Sequence, residues 1–351
     1  MRNLLFYSLL LIFGWIKAQV GGRNSFESLS LNENSRVLGI GGENISTSDY
    51  DVNSFLYNPA SLNDEMVGSV SLNYLPFYAD VKKVSTVGAF NSDKIGKFGV
   101  GIQYLSFGKF EERDINGVPL GEFNAGEIAI ALSKSHQLGP IVIGGNMKFV
   151  SSRISNYNAS ALVFDLGGMF KHPEHQLEVG MLFKNFGFVL GDYTDERTSS
   201  VPFNLQLGAS YKPEHMPVRF SITGTNLNVR DVQYLDEERD VVTQPDGEKT
   251  PEEKKLSEQI FRRLIFGTEF IFSNNFHLRM GYNHQRRKEL RLDEKSGGAG
   301  FSFGFMVRIK KIEFDYSKVY YHVVGGTNVI TISLNIKESF GSKRVEVDSE
   351  L

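Results

Sequence analysis

Cysteine is absent from all 351 residues of the chain. That excludes disulfides, thiolate metal sites and lipid attachment at an N-terminal cysteine, so the fold must hold without covalent staples. Proline is scarce, at 10, and tryptophan occurs once. Long apolar runs are missing too. The best candidate, residues 4–16, is about thirteen long, short of the roughly 20 that a helix needs to cross a bilayer. No transmembrane helix is expected. Nor is there an excess of one charge, since 38 Lys and Arg face 41 Asp and Glu, a formal net charge of -3. The basic residues are spread along the chain and not massed on one element, which argues against a nucleic-acid partner.

What the chain does have is glycine (35), phenylalanine (28) and tyrosine (14), a composition suited to many strands with an aromatic surface and close backbone contacts. From residue 70 to residue 336 one device recurs about fourteen times: roughly ten residues of alternating apolar and polar side chains, ended by a turn. The clearest copy spans residues 300–309, where Phe301, Phe303, Phe305, Val307 and Ile309 share one face and Ser302, Gly304 and Arg308 the other. Alternation alone fits a soluble sandwich as well as a membrane barrel. The remainder of the chain decides between them.

Residues 1–18 resemble a secretory signal peptide: Arg2, an apolar stretch, then Lys17-Ala18, with cleavage expected after Ala18. Losing Arg2 and Lys17 would take the formal charge from -3 to about -5. Strands are expected over 67–75, 83–90, 97–105, 123–133, 141–151, 159–170, 176–186, 202–212, 218–227, 261–272, 276–283, 299–310, 312–321 and 328–337. Connections after even strands are short. Those after odd strands are mostly longer, at 106–122, 187–201, 228–260 and 284–298. Outer-membrane barrels have this asymmetry, with tight periplasmic turns and longer outer loops, and an even count leaves both chain ends in the periplasm.

One face of the strands is free of charge, for example Phe98, Val100, Ile102 and Tyr104, or Phe276, Leu278, Met280 and Tyr282. The opposite faces carry Glu178, Lys184, Arg219, Glu269, His277, Arg279, Arg308, Glu313 and Asp315, which lipid would not tolerate but a lumen can pair or hydrate. A polar, ionic lumen follows. The expected fold class is an all-β transmembrane antiparallel barrel of about fourteen strands over 67–337, preceded by a hatch or plug at 19–66 and followed by a polar periplasmic tail at 338–351.

The segment at 35–42, with 57–62 containing Asn58-Pro59-Ala60, resembles the N-terminal hatch of the FadL-like outer-membrane transporters, whose barrels also have fourteen strands. More specifically, residues 21–29, Asp49-Tyr50-Asp51-Val52 and Asn58-Pro59-Ala60 resemble the barrel family of the Bacteroidetes type IX secretion attachment complex. Leu72-Asn73-Tyr74, residues 104–110 and residues 279–283 continue the likeness over nearly the whole mature chain. The resemblance implies a non-enzymatic scaffold in the outer membrane. Its implied partners are outer-membrane lipid and lipopolysaccharide, the sortase PorU, the cargo-carrying barrel PorV and the surface protein PorZ. The chain departs from many barrels in running on past Lys337 and not ending on a terminal aromatic.

His172-Pro173-Glu174-His175 has two imidazoles three apart, but proline and a tight turn leave no helix to align them, so a solvated turn is the better reading. His136, His215 and His284 also read as turn or loop residues. No nucleophile elbow is recognisable, and no cofactor or metal is expected. Asn58-Pro59-Ala60 should shape the hatch, because proline fixes its own backbone and pushes Asn58 toward extended geometry. Glu269, Arg279, Arg308, Glu313 and Asp315 are read as a lumen network bonding one another and the plug, in preference to a permeation path. The loop at 228–260 is the most unusual segment. Its charged run Asp236, Glu237, Glu238, Arg239 and Asp240 is the sharper candidate for partner docking, against plain solvation, and 251–259 could form a short helix. The rival reading is a FadL-like importer of hydrophobic small molecules.

Overall fold

The computed structural model describes residues 24–194, 199–232, 241–243, 249–251, 256–290, 297–322 and 325–336. Period-two patterning is realised as strands β1 (Ser69–Pro76), β2 (Lys82–Ser92), β3 (Gly96–Arg113), β4 (Pro119–Leu138), β5 (Ile141–Ile154), β6 (Tyr157–Lys171), β7 (Leu177–Gly191), β8 (Asn204–Tyr211) and β9 (Val218–Gly224). A separate two-stranded hairpin follows, β10 (Val241–Thr243) with β11 (Lys249–Pro251). Then come β12 (Leu264–Ser273), β13 (Phe276–Asn283), β14 (Phe301–Ile309), β15 (Ile312–His322) and β16 (Gly325–Asn335). β1–β9 and β12–β16 form a closed antiparallel barrel, with β1 pairing β16 from Ser69↔Asn335 to Tyr74↔Ile330. Closure removes every sheet edge within the wall, which is what lets strands sit in lipid. The expected fourteen strands are all present.

Side-chain direction follows the alternation. On β13, Phe276, Leu278 and Met280 face outward and are exposed, whereas His277 and Arg279 face inward and are buried. β14 repeats this, with Phe301 and Phe303 outside and Ser302 and Met306 inside. The outward apolar belt is the lipid-facing surface of a transmembrane barrel.

The two ends of the barrel differ, although less than loop counting predicts. Turns 139–140, 274–275 and 310–311 mark the short-turn end. At the other end, connections 192–203, 225–263 and 284–300 are long, but 155–156 is a two-residue turn. The expected loop at 106–122 is a correction: β3 and β4 continue through it, pairing as far as Arg113↔Pro119 and projecting as a hairpin. Its alternation is weak because neither face of a projecting hairpin meets lipid or core. The strand expected from residue 261 begins at Leu264, because α3 (Leu256–Arg262) precedes it. That helix overlaps the one expected at 251–259. His136 lies inside β4 and His284 opens α4 (His284–Glu289), so neither is a loop residue.

Residues 24–68 run down the inside of the barrel from the long-loop end to the short-turn end. At the top, Ser25 N donates to Ser200 O (2.9 Å) and Asn24 bridges Ser200 in parallel. Lower down lie α1 (Ser35–Gly39) and α2 (Ser54–Tyr57), then a 3-10 turn at Pro59–Ser61, before the chain enters β1. This segment corrects the picture of a purely ionic lumen. It brings its own apolar residues, so that Phe55, Leu56, Leu62 and Met66 cluster with Val87, Ala89 and Ala131, and Phe26 and Leu29 with Ala129, Val150, Ala161 and Val163. Apolar and ionic regions therefore alternate inside the wall.

Candidate functional site: the junction between inner segment and wall

Asn34 caps α1, its side-chain oxygen accepting from Val37 N (3.0 Å). Two residues on, Arg36 is buried and binds both the inner segment and the wall. Its Nη1 and Nη2 donate to Asp49 Oδ1 (2.8 Å) and Oδ2 (2.7 Å), while Nε and Nη2 donate to Glu269 Oε1 (3.1 Å) and Oε2 (2.9 Å). Asp51 stands 3.6 Å away. Such forked pairing suits arginine, whose planar donors match carboxylates two at a time. Arg219 adds a bond to each of Asp49 and Glu269 at 2.9 Å, and Arg279 Nε donates to Glu269 Oε1 (2.9 Å) while its Nη1 pairs with Asp315. Glu269 is thus held by three arginines.

Of the residues expected in a lumen network, Glu269, Arg279 and Asp315 form one chain. Arg308 and Glu313 form a second pair (2.5 Å), tied to the first through Tyr50, whose ring lies 4.3 Å from the Arg308 guanidinium and 5.8 Å from that of Arg36. Sequence reasoning places Arg219 inside but misses Arg36 as the hub. It also misses two buried lysines: Lys83 pairs with Glu33 (3.0 Å) and donates to Ser28 O (2.8 Å), and Lys148 pairs with Asp165 (2.6 Å). Lys184, read from the sequence as inward, lies 3.5 Å from Glu43. For the two missed lysines the signal was available: a charge at an inward position of an alternating strand.

Asn58-Pro59-Ala60 sits against the wall near the short-turn end. Asn58 Oδ1 accepts from Ala60 N (3.0 Å), and Asn58 Nδ2 donates to Ile45 O (2.7 Å). The motif fits because three successive strands present glycine there. A Cβ on Gly144 of β5 would overlap the Pro59 carbonyl, one on Gly167 of β6 would overlap Asn58 Oδ1, and one on Gly180 of β7 would overlap Ile45 O. The collar continues at Gly267 and Gly281 against Ile40 and Gly41, and at Gly99, where an added Cβ would stand 2.7 Å from the Phe55 ring. Inward glycine in a strand marks such close approach.

The seam is bonded to the inner segment too. Ser35 N donates to Thr331 Oγ1 of β16 (3.0 Å), and Thr331 Oγ1 donates to Asn73 Oδ1 of β1 (2.6 Å). Among the described residues no cluster of metal-ligating side chains occurs, and His172 and His175 stack at 4.7 Å in a turn, with His172 Nδ1 accepting from the Glu174 and His175 amides (3.1 Å each). The run Asp236, Glu237, Glu238, Arg239 and Asp240 lies outside the described residues, as do 1–18 and 338–351.

No family model matches the chain, and no curated protein does. Among solved structures, it is similar to the TodX monoaromatic hydrocarbon channel (a deltaS2 mutant), at 14% identity and a TM-score of 0.51, covering 86% of this chain and 98% of that one. A FadL homologue of Pseudomonas aeruginosa aligns over 87% of this chain and 98% of its own, at 10% identity and a TM-score of 0.45. The TodX likeness shows the fold alone: this chain shares the barrel fold of that channel.

Proposed function

We propose that the protein is an outer-membrane barrel filling the role of PorQ in the type IX secretion attachment complex, a scaffold that performs no catalysis and carries a surface partner. In this reading residues 19–66 are the hatch, the short-turn end is periplasmic and the long-loop end faces outward. The observation that carries it is the fastening of the hatch. Ion pairs from Arg36, Lys83 and Lys184 and the glycine collar fix it to strands all around the wall, an arrangement suited to a rigid support and costly for a gate to break. The sequence resemblance supplies the complex.

The described element best placed for docking is the β3–β4 hairpin. Beyond Ser106, β3 has no partner on its β2 side, and before Ala125, β4 has none on its β5 side. Both edges can therefore accept a strand, and Ile115, Val118 and Leu120 at the tip are exposed. The charged run at 236–240 remains the second candidate.

The test is affinity recovery of the protein from detergent-solubilised outer membrane. Co-recovery of PorU, PorV and PorZ supports the scaffold, and the barrel coming down alone overturns it. A transporter of hydrophobic small molecules is the second reading, favoured by the TodX-like fold and by the apolar cluster around Phe26 and Leu29. Uptake of an aromatic hydrocarbon into liposomes bearing the purified protein would favour that reading over the first.

A further inference from the structure

On the outside of the wall, across β4–β7, lies a cleft of about 680 Å³ bordered chiefly by the outward apolar side chains Leu132, Met147, Phe164, Leu166, Phe186 and Phe188. Two features of the strands open it. Gly145 of β5 faces outward in the row between Lys134 of β4 and Leu166 of β6, which leaves that row without a side chain at its centre. On β7 a bulge turns both Lys184 and Asn185 inward, so that Phe183 and Phe186 stand three residues apart on the outer face.

The border also carries a cation. Lys134 faces lipid, because its neighbours Ser133 and Ser135 are buried on the lumen side, Ser135 Oγ donating to Leu62 O (2.7 Å). It makes no ion pair and no hydrogen bond among the described residues. A Cβ on Gly96 would stand 3.5 Å from Lys134 Nζ, so the stem snorkels toward the β2–β3 turn at the short-turn end. A lone charge on the lipid face is costly unless it meets an opposite charge or the headgroup layer. From Lys134 the cleft rises row by row through Leu132, Met147 and Phe164 to Phe186 and Phe188, away from the short-turn end. It is therefore cationic at its foot and apolar above.

We propose that the cleft holds one glycerophospholipid of the leaflet at the short-turn end, with its phosphate on Lys134 and one acyl chain along Leu132, Met147, Phe164 and Phe188. The direction of the cleft selects the leaflet. A lipid of the opposite leaflet would bring its headgroup in beside Phe188, where the lining offers no cation, and a plain hydrocarbon would leave Lys134 uncompensated. The site lies on the outer face, apart from the hatch and the β3–β4 hairpin, and stands whichever partner the barrel carries.

The test is native mass spectrometry of the full chain, stripped of lipid in detergent and titrated with dioleoyl phosphatidylglycerol. The expected result is one molecule retained per barrel, with dioleoylglycerol and glycerol 3-phosphate not retained. Lys134→Gln should weaken retention about tenfold. Gly145→Leu should do the same, because a Cβ there meets only Asp165 O (3.8 Å) and a Leu166 methyl (3.9 Å), leaving the longer side chain to fill the cleft. Lys318→Gln, which removes an outward cation near the long-loop end of β15, should leave retention unchanged. Heat-modifiable migration on unboiled gels shows that each variant is folded. The proposal is overturned by no saturable one-to-one retention, by dioleoylglycerol held as well as the phospholipid, by parental retention in folded Lys134→Gln or Gly145→Leu, or by an equal loss in Lys318→Gln.

Discussion

Asn58 Oδ1 occupies the space that a Cβ on Gly167 would need. The inner segment and the wall approach at backbone distance there, and glycine is the only side chain that permits it.

Gly167→Val should therefore push Asn58 off the wall and cost roughly 1–3 kcal/mol, as overpacking does. Gly168→Val is the control, because a Cβ at Gly168 meets nothing within 4 Å. Urea unfolding in detergent, run alongside protease cleavage within 45–62, should show a loss for the first variant and none for the second.

Arg36→Met would strip one arginine from both Asp49 and Glu269 and leave Asp51 without its nearest cation. Breaking a buried pair from one side costs roughly 3–5 kcal/mol. Arg36→Lys should recover only part of this, because an ammonium cannot fork to two carboxylates. The midpoint of urea unfolding orders the three proteins.

Ile130 faces outward in the middle of the lipid-facing part of β4 and is 43% exposed. Ile130→Arg should destabilise the barrel by roughly 2–4 kcal/mol in bilayers. Ile115→Arg, at the hairpin tip, should stay within about 0.5 kcal/mol of the parent. Equal losses at both positions in vesicle refolding would contradict the placement of the lipid belt.

Beyond the wall, Glu258 on α3 ties that helix to α4 through Lys288 at 3.4 Å and His284 at 3.5 Å, and it pairs with Arg262 of its own helix at 3.2 Å. Partial burial pushes its carboxyl up, but Lys288, then His284 and Arg262, outweigh this and hold it below the usual carboxylate range. A depressed folded value makes the contact complete above the unfolded value of about 4.3 and lost as pH falls through the folded one. Spin labels on Gln259 and Gln285 should therefore report a narrow distance at neutral pH that broadens below about pH 4. Lys288→Met should move the broadening to higher pH.

The wall was legible in the sequence because a membrane strand must send alternate side chains to lipid and to lumen, and Phe276, Leu278 and Met280 show this against His277 and Arg279. Loop reasoning did less well at 106–122, where a hairpin projecting into water has no buried face to impose a pattern. Arg36 escaped for another reason. Its partner Glu269 is 233 residues away, and a five-residue helix inside a lumen carries no periodicity of its own. The glycines were visible as composition, but which of them face inward depends on a register that one residue's error reverses.

The bonds of Ser35 to Thr331 and of Thr331 to Asn73 put the inner segment at the seam where the wall closes. The first and last strands of the barrel meet there, so Ser35 acts as a clasp: a five-residue helix touches both strands whose meeting turns a sheet into a cylinder.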